Sequence, residues 1–208
     1  MTQYLSINSD NPQARMLQSA AEALRRGGVI ALPTDSCYAL GCALGDKDAV
    51  ERIRQIRGVD DRHHLTLMCR DLSEIAQFAR VDNAQYRLLK ATTPGSYTFL
   101  LEGTKELPRR VLHPKRKTIG LRIPDHPVAL ALLETLGEPL LSSTLILPGD
   151  ETPLTEGWEI QDRIDDHLAL ILDGGHCGIE PTTVIDLTGS SPVLVRAGRG
   201  PLAPFGLE

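Results

Sequence analysis

Apolar positions recur along this chain at helical spacing in some segments and in short strand-like runs in others. Leu17, Ala20, Ala21 and Leu24 repeat at helical spacing after Asn11-Pro12, which offers a cap and a proline for the first turn, and before Gly27-Gly28. Val29 to Leu32 then predicts a strand, stopped by Pro33 ahead of the polar turn Thr34-Asp35-Ser36. Asp46 can cap a second helix that carries Val50, Ile53 and Arg57 and closes at Gly58. Leu65 to Cys69 reads as a strand, and Ser73 to Arg80 and Asp82 to Ala91 as helices. Tyr97 to Leu101 and Thr118 to Ile123 are short enough and β-branched or aromatic enough for strands, and Val128 to Leu136 is an apolar helix. Pro139 to Leu147 reads as extended, and Leu168 to Leu172, Thr183 to Asp186 and Val193 to Arg196 as strands. Between these, residues 149–167 are polar and acidic, predicting a loop and a surface helix. The alternation is that of an α/β domain. No repeat, low-complexity tract or linker divides residues 1–208, and the grouping of strands late in the chain argues against a purely parallel, doubly wound sheet.

Composition adds bounds. Of the 208 residues 41% are hydrophobic and 24% charged, which is ordinary globular usage, while aromatics at 4% leave the core to aliphatic side chains. No run of 18 apolar residues offers a membrane span, and the N-terminus lacks the charged and apolar regions of a secretory signal. Cys37, Cys42, Cys69 and Cys177 form no C-x-x-C pair, so reduced thiols in a cytoplasmic protein are expected. The net charge of −5 counts against a nucleic-acid partner, but its distribution does not. Residues 47–122 hold 16 Lys and Arg against 9 Asp and Glu, whereas residues 150–208 hold 3 against 11.

Dinucleotide, P-loop and nucleophile-elbow glycine motifs are absent. Cys37, Cys42, His63, His64, His176 and Cys177 have no recognised ligand spacing, so no metal site is expected. Four segments instead place a polar or basic group at the edge of an apolar strand: 33–41, 118–127, 140–149 and 182–198. Arg122 alternates with Leu121 and Ile123, so it is either a solvated outer-face residue or a guanidinium held over a concave site, and alternation alone favours the first. Arg196 poses the same choice beside Gly198 and Gly200, which would let backbone approach a ligand. With the hydroxyls of Thr34, Ser143, Thr182 and Thr183, these are parts for holding phosphate or carboxylate.

PTDSCYALGCAL, the helix ending in IRG, PGSYTFLL, TIGLRIPDHP, TTVIDLTG and VLVRAG occur in the order found in the YrdC-like family, which contains threonylcarbamoyl-AMP synthases. The sequence resembles that family over roughly residues 15–200 and is most similar to its YciO branch. The resemblance implies one α/β domain, a twisted mixed or mostly parallel sheet with flanking helices around a large concave site. It also implies formation of threonylcarbamoyl-AMP from L-threonine, bicarbonate and ATP, with Mg2+ accompanying the nucleotide, for threonylcarbamoyladenosine in tRNA. By the same resemblance Thr34, Arg57, Arg122, Thr182 and Thr183 bind substrate, and Ser143 and Arg196 the nucleotide.

Where the family carries Lys-x-Arg this chain reads Arg57-Gly58-Val59, and for Ser-x-Asn it reads Ser143-Thr144-Leu145. Two polar contacts are thereby lost, each worth about 1.5–3 kcal/mol, so weakened activity is expected. A second reading stays open. Arg109, Arg110, Lys115, Arg116 and Lys117 lie in a basic stretch, residues 105–117, suited to the phosphates of tRNA or double-stranded RNA rather than to stacking on single strands. On that reading the protein keeps the fold and binds RNA without efficient catalysis.

Overall fold

The computed structural model describes residues 1–208. In chain order the elements are β1 (Gln3–Ser6), α1 (Ala14–Arg25), β2 (Ile30–Leu32), β3 (Ala39–Ala43), α2 (Lys47–Arg57), β4 (Thr66–Met68), α3 (Leu72–Phe78) and α4 (Asn83–Thr92). There follow β5 (Tyr97–Glu102), β6 (Thr118–Arg122), α5 (Pro127–Leu136), β7 (Leu140–Thr144), α6 (Gly157–Ile164), β8 (Leu170–Asp173), β9 (Thr183–Asp186) and β10 (Val193–Arg196).

All ten strands join one sheet in the order β1-β8-β2-β3-β7-β4-β6-β5-β9-β10. The pairs β1/β8, β2/β8, β4/β6 and β5/β9 are parallel and the other neighbours antiparallel, so the sheet is mixed, as the late strands required. Period-two alternation sorts its side chains onto two faces. Ile30, Leu32, Ala39, Met68, Leu140, Leu170 and Leu172 meet Leu17, Ala20, Ala21 and Leu24 of α1 and Val128, Ala129, Leu132 and Leu133 of α5. Ala31, Leu40, Leu67, Leu121, Leu141, Ile171 and Ile185 belong to the larger core on the other face, with Val50 and Ile53 of α2, Ile75 of α3, Leu89 of α4 and Ile160 of α6.

The ends of α2 follow from its sequence: Asp46 accepts a hydrogen bond from the Ala49 amide at 2.9 Å, and Gly58 closes the helix with φ of 63°. The start of α1 does not. Asn11-Pro12 lies outside the helix, whose N-cap is Gln13 with no side-chain cap. The Asn8 side chain instead accepts from the amides of Asp10 and Asn11 at 2.9 and 3.1 Å, holding that segment as a turn. Strands β1 and β3 were not expected. β1 is a four-residue edge strand, half-exposed, without alternation, and β3 is built of Ala39, Leu40, Gly41, Cys42 and Ala43, small residues with little β preference.

Candidate functional site

A cavity of about 410 Å³ opens over the central strands. Its floor follows from register. Ser142 of β7 pairs with Thr66 of β4, Thr66 with Gly120 of β6, and Gly120 with Leu100 of β5, so these four lie in a row across the sheet and all line the cavity. Two residues further along, Met68 pairs with Arg122, and both line it as well. Gly120 keeps the floor low: a Cβ there would lie 2.9 Å from Thr98 Cγ2 and 3.4 Å from Thr66 Oγ1.

Of the seven substrate and nucleotide residues expected from sequence, six line this cavity: Thr34, Arg57, Arg122, Ser143, Thr182 and Arg196. Arg122 is only 6% exposed, so the solvated reading is overturned. Its guanidinium forms an ion pair with Asp35 and donates to Ser36 Oγ at 3.3 Å. Burial pulls its pKa down, and Asp35 works against that shift by holding the charge. Asp35 also accepts from Ser96 Oγ at 2.8 Å. Thr34 Oγ1 organises the turn that carries Asp35: it donates to the Cys37 carbonyl at 2.6 Å and accepts from the Ser36 and Cys37 amides at 3.2 Å. Arg57, at the end of α2, donates to Ser143 Oγ, and burial lowers its pKa too. Arg196 Nη2 donates to the Thr182 carbonyl at 2.8 Å, and Thr182 Oγ1 lies 2.8 Å from Thr98 Oγ1.

Thr183 corrects the seventh expectation. One step from Thr182, it faces away from the cavity, fully buried, donating to the Gly200 carbonyl at 2.7 Å and accepting from the Gly198 amide at 3.1 Å. Its work is to hold the turn after β10. The five basic residues assigned to RNA, Arg109, Arg110, Lys115, Arg116 and Lys117, do not line the cavity and are exposed on the segment between β5 and β6. That segment meets the cavity wall where His113 packs on His64, ring centroids 5.1 Å apart.

Residues missed from sequence are Asp35 and Ser36, inside the turn already noted, and Thr98, while His63 and His64, weighed from sequence only as metal ligands, both stand on the cavity wall. Thr98 was detectable as the polar residue of an apolar strand. The altered motif positions have a physical explanation. Leu145 is fully buried in the larger core, and half-buried Val59 does not reach the cavity.

The cavity offers no ready nucleophile. All four cysteines are free and buried, and burial pushes the Cys37 thiol up to about 11. No three of the His, Cys, Asp and Glu side chains gather as metal ligands. What the arrangement can do is bind and polarise anions, through three arginines and a ring of hydroxyls.

A mixed sheet flanked by helices, with an arginine- and hydroxyl-lined cavity at its centre, defines the class. The family sequence model described as "Telomere recombination", covering Sua5, YciO and YrdC, matches residues 22–198, and the chain belongs to that family. It is 56% identical over 205 residues to the "Uncharacterized protein YciO" of Escherichia coli K12, across 99% of this chain and 100% of that one. The crystal structure of E. coli YciO superposes with a TM-score of 0.95 over 99% of this chain and all of the other. Similarity to threonylcarbamoyl-AMP synthases is lower: the Bacillus subtilis protein is 30% identical over 194 residues, 92% of this chain and 55% of that protein. The crystal structure of Pyrococcus abyssi Sua5 complexed with L-threonine matches at 27% identity with a TM-score of 0.89, over 97% of this chain and 59% of the other. The chain thus spans little more than half the length of these two proteins.

Proposed function

We propose that this protein is a nucleotidyltransferase that forms threonylcarbamoyl-AMP from L-threonine, bicarbonate and ATP, at a rate reduced by Val59 and Leu145. The observation that carries the reading is the convergence of Arg57, Arg122 and Arg196, with the hydroxyls of Thr34, Ser143 and Thr182, on one cavity. The threonine amine and bicarbonate give a carbamate with loss of water. A carbamate oxygen then attacks the α-phosphorus of ATP, the bond to the β-phosphate oxygen breaks, and pyrophosphate leaves. Threonine's carboxylate, bicarbonate, the carbamate and the triphosphate are all anionic, so the protein's contribution is positioning and charge stabilisation. Arg122, with Thr34 beside it, is assigned the threonine carboxylate, and the relative crystallised with L-threonine supports threonine as the ligand. Arg57 with Ser143, and Arg196, face the nucleotide. The carboxylate lining the cavity is Glu151, while Asp35 is engaged by Arg122. That donor set fits Mg2+ carried by phosphates and water rather than caged by protein.

The test is pyrophosphate release together with detection of threonylcarbamoyl-AMP by mass spectrometry. Product dependent on threonine, bicarbonate and ATP is expected, and Arg196→Ala should lower its rate by about 10- to 100-fold through loss of a charge-assisted contact. No release above an enzyme-free control at high enzyme concentration would falsify the reading.

The exposed basic segment favours a second reading, binding of tRNA or double-stranded RNA by its phosphates. None of Arg109, Arg110, Lys115, Arg116 and Lys117 is paired with a carboxylate; Arg110 donates to the Gly45 carbonyl and Lys117 to that of Pro114. Binding should weaken steeply with salt and with neutralisation of these five residues. Duplex affinity indifferent to both rules this reading out.

A further inference from the structure

The cavity is electrostatically divided. Around Arg122 most of the charge is matched, because Asp35 pairs with it and Ser36 takes a further N–H, which leaves its unpartnered Nε for a singly charged group such as a carboxylate. Along the wall supplied by the end of α2 and the connection to β4, nothing matches it. Arg57 gives one N–H to Ser143, has no carboxylate partner, and its Nε is buried without an acceptor. His63 and His64 line the same wall, and neither ring is held in a hydrogen bond or ion pair.

The groups facing these imidazoles come from several elements. Arg54 and Arg57 of α2 and Asp60 of the connection bear on His63; Arg54 and His113 bear on His64. Two of the charges are already engaged, Arg54 near Glu51 at 3.8 Å and Asp60 near Arg62 at 3.9 Å. Ser143 and Thr144 of β7 and Glu151 complete the surroundings. Glu51 and Asp60 lie against arginines, so Glu151 is the one carboxylate here without such a partner, and the wall is short of negative charge.

We infer that, on the wall where Arg57 is assigned to the nucleotide, His63 and His64 join it in holding a phosphate dianion and take up protons as the anion binds, so that affinity rises as the pH falls. A carboxylate is served by the Arg122 side of the cavity. Three nitrogen-bearing groups with a free guanidinium N–H suit the several oxygens of a phosphoryl group better. Without an anion, burial and the neighbouring Arg57, Arg54 and His113 hold both imidazoles below their usual 6.5, hence neutral at pH 7. An arriving dianion reverses that field and favours the charged form. The inference rests on the proposed function in one respect: the cavity's substrate must carry a phosphoryl group.

The experiment is calorimetric titration of inorganic sulfate, a dianion throughout this range, from about pH 8 to about pH 5.5 in buffers of different ionisation enthalpy. MgATP is titrated in parallel. The wild type should bind sulfate about tenfold more tightly for each imidazole engaged as the pH falls, with net proton uptake. H63Q and H64Q should each flatten the slope, and the H63Q/H64Q double variant should retain a weak affinity independent of pH. A flat wild-type profile, no sulfate binding at any pH, or a double variant that keeps the slope each overturns the inference. Proton uptake is measured on the wild type itself, so a poorly folding double variant does not remove the test. The two readings fail separately. A pH-dependent sulfate site in a protein that makes no threonylcarbamoyl-AMP rejects the reaction, whereas product formation with pH-independent sulfate binding rejects the subsite.

Discussion

Arg122 is a buried guanidinium whose neighbours decide whether it is tolerable. Asp35 supplies the opposite charge, Ser36 an acceptor, and Ser96 steadies the second Asp35 oxygen at 2.8 Å. Removing the carboxylate leaves a desolvated charge with a hydroxyl acceptor but no opposite charge beside it. Asp35→Ala should therefore cost about 3–5 kcal/mol in urea-induced unfolding, and Asp35→Asn, which keeps an acceptor oxygen, should cost less. Equal, small losses in both variants would show that solvent reaches the guanidinium after all. From sequence, alternation placed Arg122 opposite Leu121 and Ile123 but could not say whether that face met water or a cavity. The answer lies in the Thr34–Cys37 turn, which is distant in sequence and packs its hydroxyl and carboxylate against the guanidinium. The adjacent pair Thr182 and Thr183 was illegible for a related reason. Strand alternation sends the two to opposite sides, and only the neighbouring backbone of Gly198 and Gly200 shows which side is structural.

At the scale of elements, the join between α2 and β4 determines where Arg57, His63 and His64 stand. Gly58 makes that join possible twice over: its φ is 63°, and a Cβ would sit 2.7 Å from Pro148 Cγ. A side chain there must bear a left-handed conformation, about 1–2 kcal/mol, and displace a proline as well. Gly58→Ala should thus lower unfolding free energy by at least about 1–2 kcal/mol. It should also weaken anion binding in the sulfate titration, because Arg57 is the preceding residue. Full stability in Gly58→Ala would mean that the 58–65 connection yields easily. This helix was readable in advance because Asp46 and Gly58 are strong local signals for its two ends. Element β3 was not. Its small residues carry no periodic signal, and its place is dictated by pairing with β2 and β7, partners that local sequence cannot specify.

Across the whole molecule, strand order explains how a chain with a basic middle and an acidic end builds one cationic cavity. β9 and β10 join the sheet beside β5, which carries Arg196 and Thr182 from the acidic third to strands of the basic middle. The same arrangement concentrates titratable groups that resist protonation. Burial lowers the pKa of His63, His64 and His126 from 6.5, whereas the unfolded chain takes up protons near that value. The sign follows. Above about pH 6.5 these histidines are neutral in both states, and as the pH falls below it the unfolded state binds more protons, so stability declines. Glu74 acts in the opposite sense, since burial raises its carboxyl from 4.5 and the folded state then gains protons first. Comparing urea midpoints of wild type and H63Q/H64Q between about pH 7.5 and 5.5 isolates the two cavity histidines, because Glu74 and His126 are common to both. The wild-type midpoint should fall further than that of the variant, and sulfate should restore more of the loss in the wild type, by binding the protonated cavity. Parallel profiles would show that these imidazoles titrate alike in the folded and unfolded protein.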